Sequence, residues 1–113
     1  MLNIKMADSI IQRKNFSDIS SQLSVVSGAA IQTDGCKMYS DGSLLVIKVN
    51  FRANDTIPSG VIYTGVPTTV AMTFALNGSS TAHRGLILNG TIYLEESVSA
   101  GWYNGEAVVP IIF

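Results

Sequence analysis

Charge is what this sequence has least of. Only 13% of its 113 residues are Asp, Glu, Lys or Arg, against roughly 25% in an ordinary soluble domain. Seven basic and eight acidic side chains leave a net charge of -1, and neither sign forms a run. Nucleic acid is therefore not an expected partner, because its phosphates call for a basic stripe. Cysteine and histidine occur once each, as Cys36 and His83. That excludes an internal disulfide and argues against a structural zinc site, so no metal or cofactor is expected. No apolar run approaches the roughly 18 to 20 residues of a membrane helix, and residues 1–30 lack the basic-then-apolar layout of a signal peptide. Neither membrane insertion nor export by the ordinary route is expected. Also missing are a Gly-x-Ser-x-Gly elbow, a phosphate loop and any metal-ligand spacing, so the expected function is not enzymatic.

Ser, Thr, Asn and Gly stand where the charge is missing and make up about a third of the chain. Such a neutral polar surface suits turns and repels its neighbours weakly, so self-association is expected. The hydrophobic share of 47% is ordinary, and the length suits one domain with one core.

Residues 84–94 carry the clearest architectural signal. Asn89-Gly90 stands between two runs rich in β-branched and aliphatic residues, and this pair tolerates the positive φ angles of a two-residue type I′ turn. The turn sets Leu88 opposite Thr91, Ile87 opposite Ile92, Leu86 opposite Tyr93, and Arg84 opposite Glu95. The last pair brings opposite charges together, which favours this register over one-residue slips. Both faces of the hairpin are apolar: Ile87, Ile92 and Leu94 on one, Leu86, Leu88 and Tyr93 on the other. A second sheet or a neighbouring subunit should cover the second face.

Residues 1–30 read differently. Phe16, Ile19, Leu23 and Val26 fall at heptad spacing, which suits a short helix or stalk; the competing reading is an irregular, partly strand-like lead-in. From residue 31 the period is two. Residues 36–39 and 44–53 form a second hairpin around Asp41-Gly42, with Cys36, Met38, Leu45, Ile47, Val49 and Phe51 inward and Lys37, Lys48, Asn50 and Arg52 outward. Residues 61–64 make a short strand stopped by Gly65-Val66-Pro67. Residues 68–76 alternate again, with Val70, Met72, Phe74 and Leu76 on one face. After a Trp102-Tyr103-Asn104-Gly105 corner, residues 106–113 form a last strand, and Pro110 assigns it to an edge or a bulge. The fold class is all-β: an antiparallel β-sandwich of about seven to eight strands over residues 31–113, preceded by the lead-in of residues 1–30.

This order of signals resembles a known family. Asp41-Gly42-Ser43-Leu44-Leu45-Val46, Ile57-Pro58-Ser59-Gly60, Gly65-Val66-Pro67, Leu88-Asn89-Gly90-Thr91-Ile92 and Ala100-Gly101-Trp102-Tyr103 together look like the C-terminal head domain of bacteriophage tail-fibre and baseplate receptor-binding proteins. The likeness spans roughly residues 31–113 and consists of turn and core spacings, not reactive residues. It implies a homotrimeric β-sandwich in a phage virion that contacts other tail or baseplate proteins and attaches the particle to saccharide or protein on the bacterial host surface. Two rivals remain open: a structural or decoration virion protein that docks only other virion proteins, and a small polysaccharide-degrading enzyme.

Saccharide binding needs aromatic faces for sugar C–H groups and a few polar side chains for the hydroxyls. Trp102, Tyr103 and Asn104 supply these on one stretch, Arg52, Asn54 and Asp55 on another. The alternative has Trp102 capping the core and Tyr103 at a subunit contact. Leu86, Leu88 and Tyr93 are the candidate subunit interface. His83 reads as a rim residue and Cys36 as a small buried hydrophobe. Glu95 and Glu96, as strand neighbours, point apart and are not a catalytic carboxylate pair. Asn77-Gly78-Ser79 and Asn89-Gly90-Thr91 match glycosylation acceptors, but their turn role explains both.

Overall fold

The computed structural model describes residues 16–26, 30–78 and 82–112. Its elements are β1 (Ser17–Asp18), one 3-10 turn (Ser20–Gln22), β2 (Ser24–Val25), β3 (Ile31–Asp34), β4 (Lys37–Ser40), β5 (Leu44–Ala53), β6 (Gly60–Thr64), β7 (Met72–Gly78), β8 (Ala82–Leu88), β9 (Thr91–Leu94) and β10 (Gly101–Pro110). They form one antiparallel sheet in the order β1-β4-β5-β10-β7-β8-β9-β6-β2, with β3 pairing the end of β5. The sheet curls over itself as a sandwich-like body. Phe51 on β5 thereby meets Tyr63 on β6, with ring centroids 6.5 Å apart, although these strands are far from each other in the order.

The two hairpins set the frame. Asn89 has φ 50° and Gly90 φ 81°, the turn conformation that Asn-Gly accommodates, and the register runs Leu86↔Tyr93, Ile87↔Ile92, Leu88↔Thr91. At the other hairpin the Asp41 carboxylate accepts from the backbone N–H groups of Ser43 (2.9 Å) and Leu44 (2.8 Å), an Asx arrangement that fixes the turn. Met38 then faces Ile47, and Lys37 faces Lys48. Inward positions of β5 (Leu45, Ile47, Val49, Phe51) are buried together with Tyr63, Leu76, Ile87, Ile92, Leu94 and Tyr103. Burial of this apolar surface is the main favourable term in such a core.

The two halves of the sheet meet at β10 and β7, which pair only at Tyr103↔Gly78, Asn104↔Asn77 and Gly105↔Leu76. Gly105 makes this approach possible, because a Cβ there would lie 2.3 Å from the Ala75 carbonyl oxygen. Beyond that seam the two strands part.

Three readings change, and one is decided between its alternatives. The described part of the lead-in is the irregular, partly strand-like one and not the helix: its ends pair with β4 and β6, the Ile19 N–H donates to Met38 and the Val26 N–H to Ile62, while Ile19 and Leu23 pack on the core. Sheet edges outcompete a helix of so few residues, which is marginal by itself. The remaining residues of that segment, 1–15 and 27–29, lie outside the described residues. Residues 68–71 are not strand, because the buried Thr68 hydroxyl bonds the Pro110 carbonyl (2.9 Å) and the Thr69 N–H bonds that of Ile112 (2.7 Å), tying this stretch to the C-terminal tail. Trp102 to Gly105 are not a corner but the first half of β10, paired along its whole length with β5. Finally, β10 is interior to the sheet, and Pro110 is its last residue, where β7 no longer needs a donor.

Candidate saccharide-binding face

The outward side of β4, β5 and β10 carries the candidate site. Because all three are paired antiparallel, their outward residues form rungs. Trp102 stands beside Arg52, Asn104 beside Asn50 on one side and Asn77 of β7 on the other, and Glu106 beside Lys48, which in turn faces Lys37. The next rung joins Tyr39, Val46 and Val108. Trp102 is 48% exposed. Arg52, Asn50, Asn104 and Lys37 are exposed, Lys48 and Tyr39 half-buried, and Glu106 buried. A hollow of about 380 Å³ lies between Lys37, Tyr39, Lys48, Asn50 and Asn104, floored by Gly35 and Gly105. This is the size range of a small-ligand site.

Of the six ligand-binding candidates, the structure brings three together: Trp102, Asn104 and Arg52 share this face. Asn54 and Asp55 lie just beyond the end of β5 in an exposed bend, where the Asp55 carboxylate accepts from the Thr56 N–H (2.7 Å). Tyr103 is removed from the set. It points inward, 3% exposed, its ring stacked on Phe51 at 5.5 Å and its hydroxyl donating to the Ser99 carbonyl at 2.7 Å. The cause is the period of the strand: consecutive residues of β10 face opposite sides. The same geometry overturns the alternative roles, since Trp102 does not cap the core and Tyr103 lies within it. Lys37, Lys48 and Asn50 belong to the face although sequence reasoning assigned them only to the wet side. What assembles them with Trp102 is the non-local pairing of β10 with β5.

Next to Gly35 of the hollow, the exposed Asp34 joins the buried Cys36 and Tyr63 in a small polar cluster. The Asp34 carboxylate accepts from the Cys36 N–H (3.1 Å) and the Tyr63 hydroxyl (3.0 Å). Burial pushes the Cys36 thiol up to about 11 and the Tyr63 phenol well above its ordinary range. Both therefore stay protonated at neutral pH. Cys36 Sγ accepts from the Asn50 N–H at 3.4 Å and behaves as a small hydrophobe.

Elsewhere, Arg84 pairs with Glu95 across the hairpin base, and His83 Nδ1 lies 2.8 Å from the exposed Glu96 carboxylate. The His83 ring meets the Tyr103 ring edge-on at 5.8 Å, so this imidazole is half-buried against the core and not only a rim group. Among the described residues no three His, Cys, Asp or Glu side chains gather as metal ligands. A second concavity of about 400 Å³, mostly apolar, opens where β7 parts from β10 and is lined by Met72, Phe74, His83, Glu106 and Val108 among others. Of the candidate interface residues, Leu88 is 40% exposed and Leu86 and Tyr93 are half-buried, on the outward side of the other layer with Val61, 39% exposed, next to Tyr93. No helix among the described residues is long and apolar enough to cross a membrane.

No family model, no curated protein and no solved structure matches this chain.

Proposed function

We propose that the protein is a non-enzymatic adhesion module of a bacteriophage virion, from a tail fibre or baseplate, that binds saccharide on the host surface through the outward face of β4, β5 and β10. The observation that carries the binding is Trp102. A large aromatic on an interior strand is ordinarily buried, yet this indole is 48% exposed, with Arg52 directly across from it and Asn104 two residues on. An indole face takes the apolar side of a sugar ring, while guanidinium and amide groups take hydroxyls. The virion context is supported by the spacing of turns and core residues over residues 31–113 and by the neutral polar composition. Weak individual contacts would be multiplied across copies on the particle.

A glycan array carrying bacterial surface polysaccharides tests this reading. Saturable binding that Trp102→Ala removes supports it; no binding to any saccharide or to host cells contradicts it. Measurement of reducing ends after incubation with the bound polysaccharide addresses the enzymatic rival, and none are expected to appear.

A second reading is favoured by a different observation. Leu88, Val61, Leu86 and Tyr93 form an apolar stripe on the outward side of β8, β9 and β6, and such a stripe suits contact with a copy of the chain or with another virion protein. Under this reading the protein is a homotrimer, or a structural module docked on a partner, with Leu86, Leu88 and Tyr93 in the contact.

A further inference from the structure

The exposed indole at one end of the hollow has an aromatic counterpart at the other. Tyr39 on β4 points outward, because Met38 before it is fully buried and neighbours on a strand face opposite sides. It is half-buried and lines the hollow together with the exposed Lys37, Asn50 and Asn104. Trp102 stands two residues from Asn104 on the same side of β10. Cross-strand pairing fixes how far apart the two rings are held. Trp102 lies on the rung of Arg52, Asn104 on that of Asn50, Lys37 on that of Lys48, and Tyr39 on that of Val46. Arg52 and Val46 are six residues apart on β5, and β10 is two strand spacings from β4. At about 3.3 Å per residue and about 4.8 Å per strand, the two positions lie roughly 22 Å apart on a diagonal. Glu106 and Val46, the outward residues beside that diagonal, are 7% and 0% exposed. The accessible surface between the rings therefore narrows to the side of Asn104, Asn50 and Lys37.

We infer that the bound saccharide is an extended oligosaccharide lying diagonally across β10, β5 and β4, with Trp102 stacked on one sugar ring and Tyr39 on another several units away; the inference rests on reading this face as a saccharide site. A single ring cannot reach both aromatics across that distance, whereas a run of sugar units spans it. The rings at the two ends give their apolar C–H sides to the indole and the phenol. Between them, Asn50 and Asn104 each offer both a donor and an acceptor to the hydroxyls, and the Lys37 ammonium donates. Such matching requires no charge on the sugar. Tyr39 is thus a second aromatic contact, and it sets the length of chain that the face prefers. Two weak contacts act together once one ligand joins them, as two linked modules do.

A length series tests this. The polysaccharide that the array selects is partly hydrolysed and fractionated from single sugars to ten-sugar fragments, and binding of each fraction to the full chain is measured by calorimetry. Affinity is expected to rise with length until a fragment reaches both rings and then to level off, about tenfold or more above the disaccharide, with one fragment per chain. Tyr39→Ala should lower the plateau affinity about five- to tenfold and leave the disaccharide unaffected, while Tyr39→Phe, which keeps the ring, should hold the plateau. A Tyr39 that only supports the sheet would shift the melting temperature without altering the length dependence. Disaccharides that bind as tightly as the long fragments overturn the inference and leave the saccharide reading standing. So does a Tyr39→Ala effect that is absent, or equal at every length. The length series of the parent chain decides alone if Tyr39→Ala does not fold. A blank array overturns both readings.

Discussion

Trp102 and Tyr103 are consecutive in sequence and opposite in role. The pleat of β10 turns the indole to solvent and the phenol into the core, where it stacks on Phe51 and bonds Ser99. Trp102→Ala should therefore cost little stability, about 0.5 kcal/mol or less, while abolishing saccharide binding. Tyr103→Phe should cost about 1 kcal/mol through its lost hydrogen bond and leave binding intact. Urea unfolding paired with a binding assay reads both. Cys36 supplies a pH test. Its folded-state value of about 11 lies above that of an ordinary thiol, 9.0, because burial disfavours the thiolate. The folded state thus holds the proton more tightly, so this contribution is complete below pH 9 and is lost as pH rises toward 11. Tyr63, raised in the same direction, adds to the loss. Unfolding free energy should fall across that window by up to roughly 2–3 kcal/mol from Cys36, and Cys36→Ala should flatten the slope. The native thiol should also resist alkylation until the protein unfolds.

At the scale of strands, the seam between β10 and β7 is the vulnerable join, since three residue pairs hold the halves together there. Gly105→Ala would put a methyl against the Ala75 carbonyl, a backbone atom that cannot swing aside. A loss of about 2–4 kcal/mol is expected, with the earliest hydrogen exchange along β7; a melting temperature unchanged from the parent would contradict this account of the seam. The two hairpins were legible in the sequence because each is local: Asn89-Gly90 and Asp41-Gly42 fix their registers, and the alternation of residues 44–53 fixes which side is wet. What was not legible depended on distant partners. The aromatic stretch at 102–105 has the composition of a loop, and only pairing with β5 makes it a strand. Residues 68–71 alternate like a strand, yet Thr68 and Thr69 bond the C-terminal tail instead. For the site, Trp102, Asn104 and Arg52 were named from residue type alone. Lys37, Lys48 and Asn50 join them only when β10 lies beside β5.

The whole molecule presents two outward faces of different chemistry. One is aromatic and polar around Trp102; the other carries the apolar stripe of Leu86, Leu88, Tyr93 and Val61. On the reading proposed above, the first face would meet host saccharide and the second would meet copies of the chain or other virion proteins. Sedimentation at micromolar concentration should report a trimer, and Leu88→Lys should shift it toward the 12.0 kDa single chain without unfolding it; sedimentation as single chains in the parent would remove the trimer reading while leaving the binding face untouched. The most direct measurement of the central claim is an NMR titration of labelled protein with the polysaccharide that the array selects. The account expects shift changes at Trp102, Arg52, Asn104, Asn50, Lys48 and Lys37, with Leu86, Leu88 and Tyr93 unmoved. Changes confined to the Leu86, Leu88 and Tyr93 face, or none at saturating polysaccharide, would contradict it.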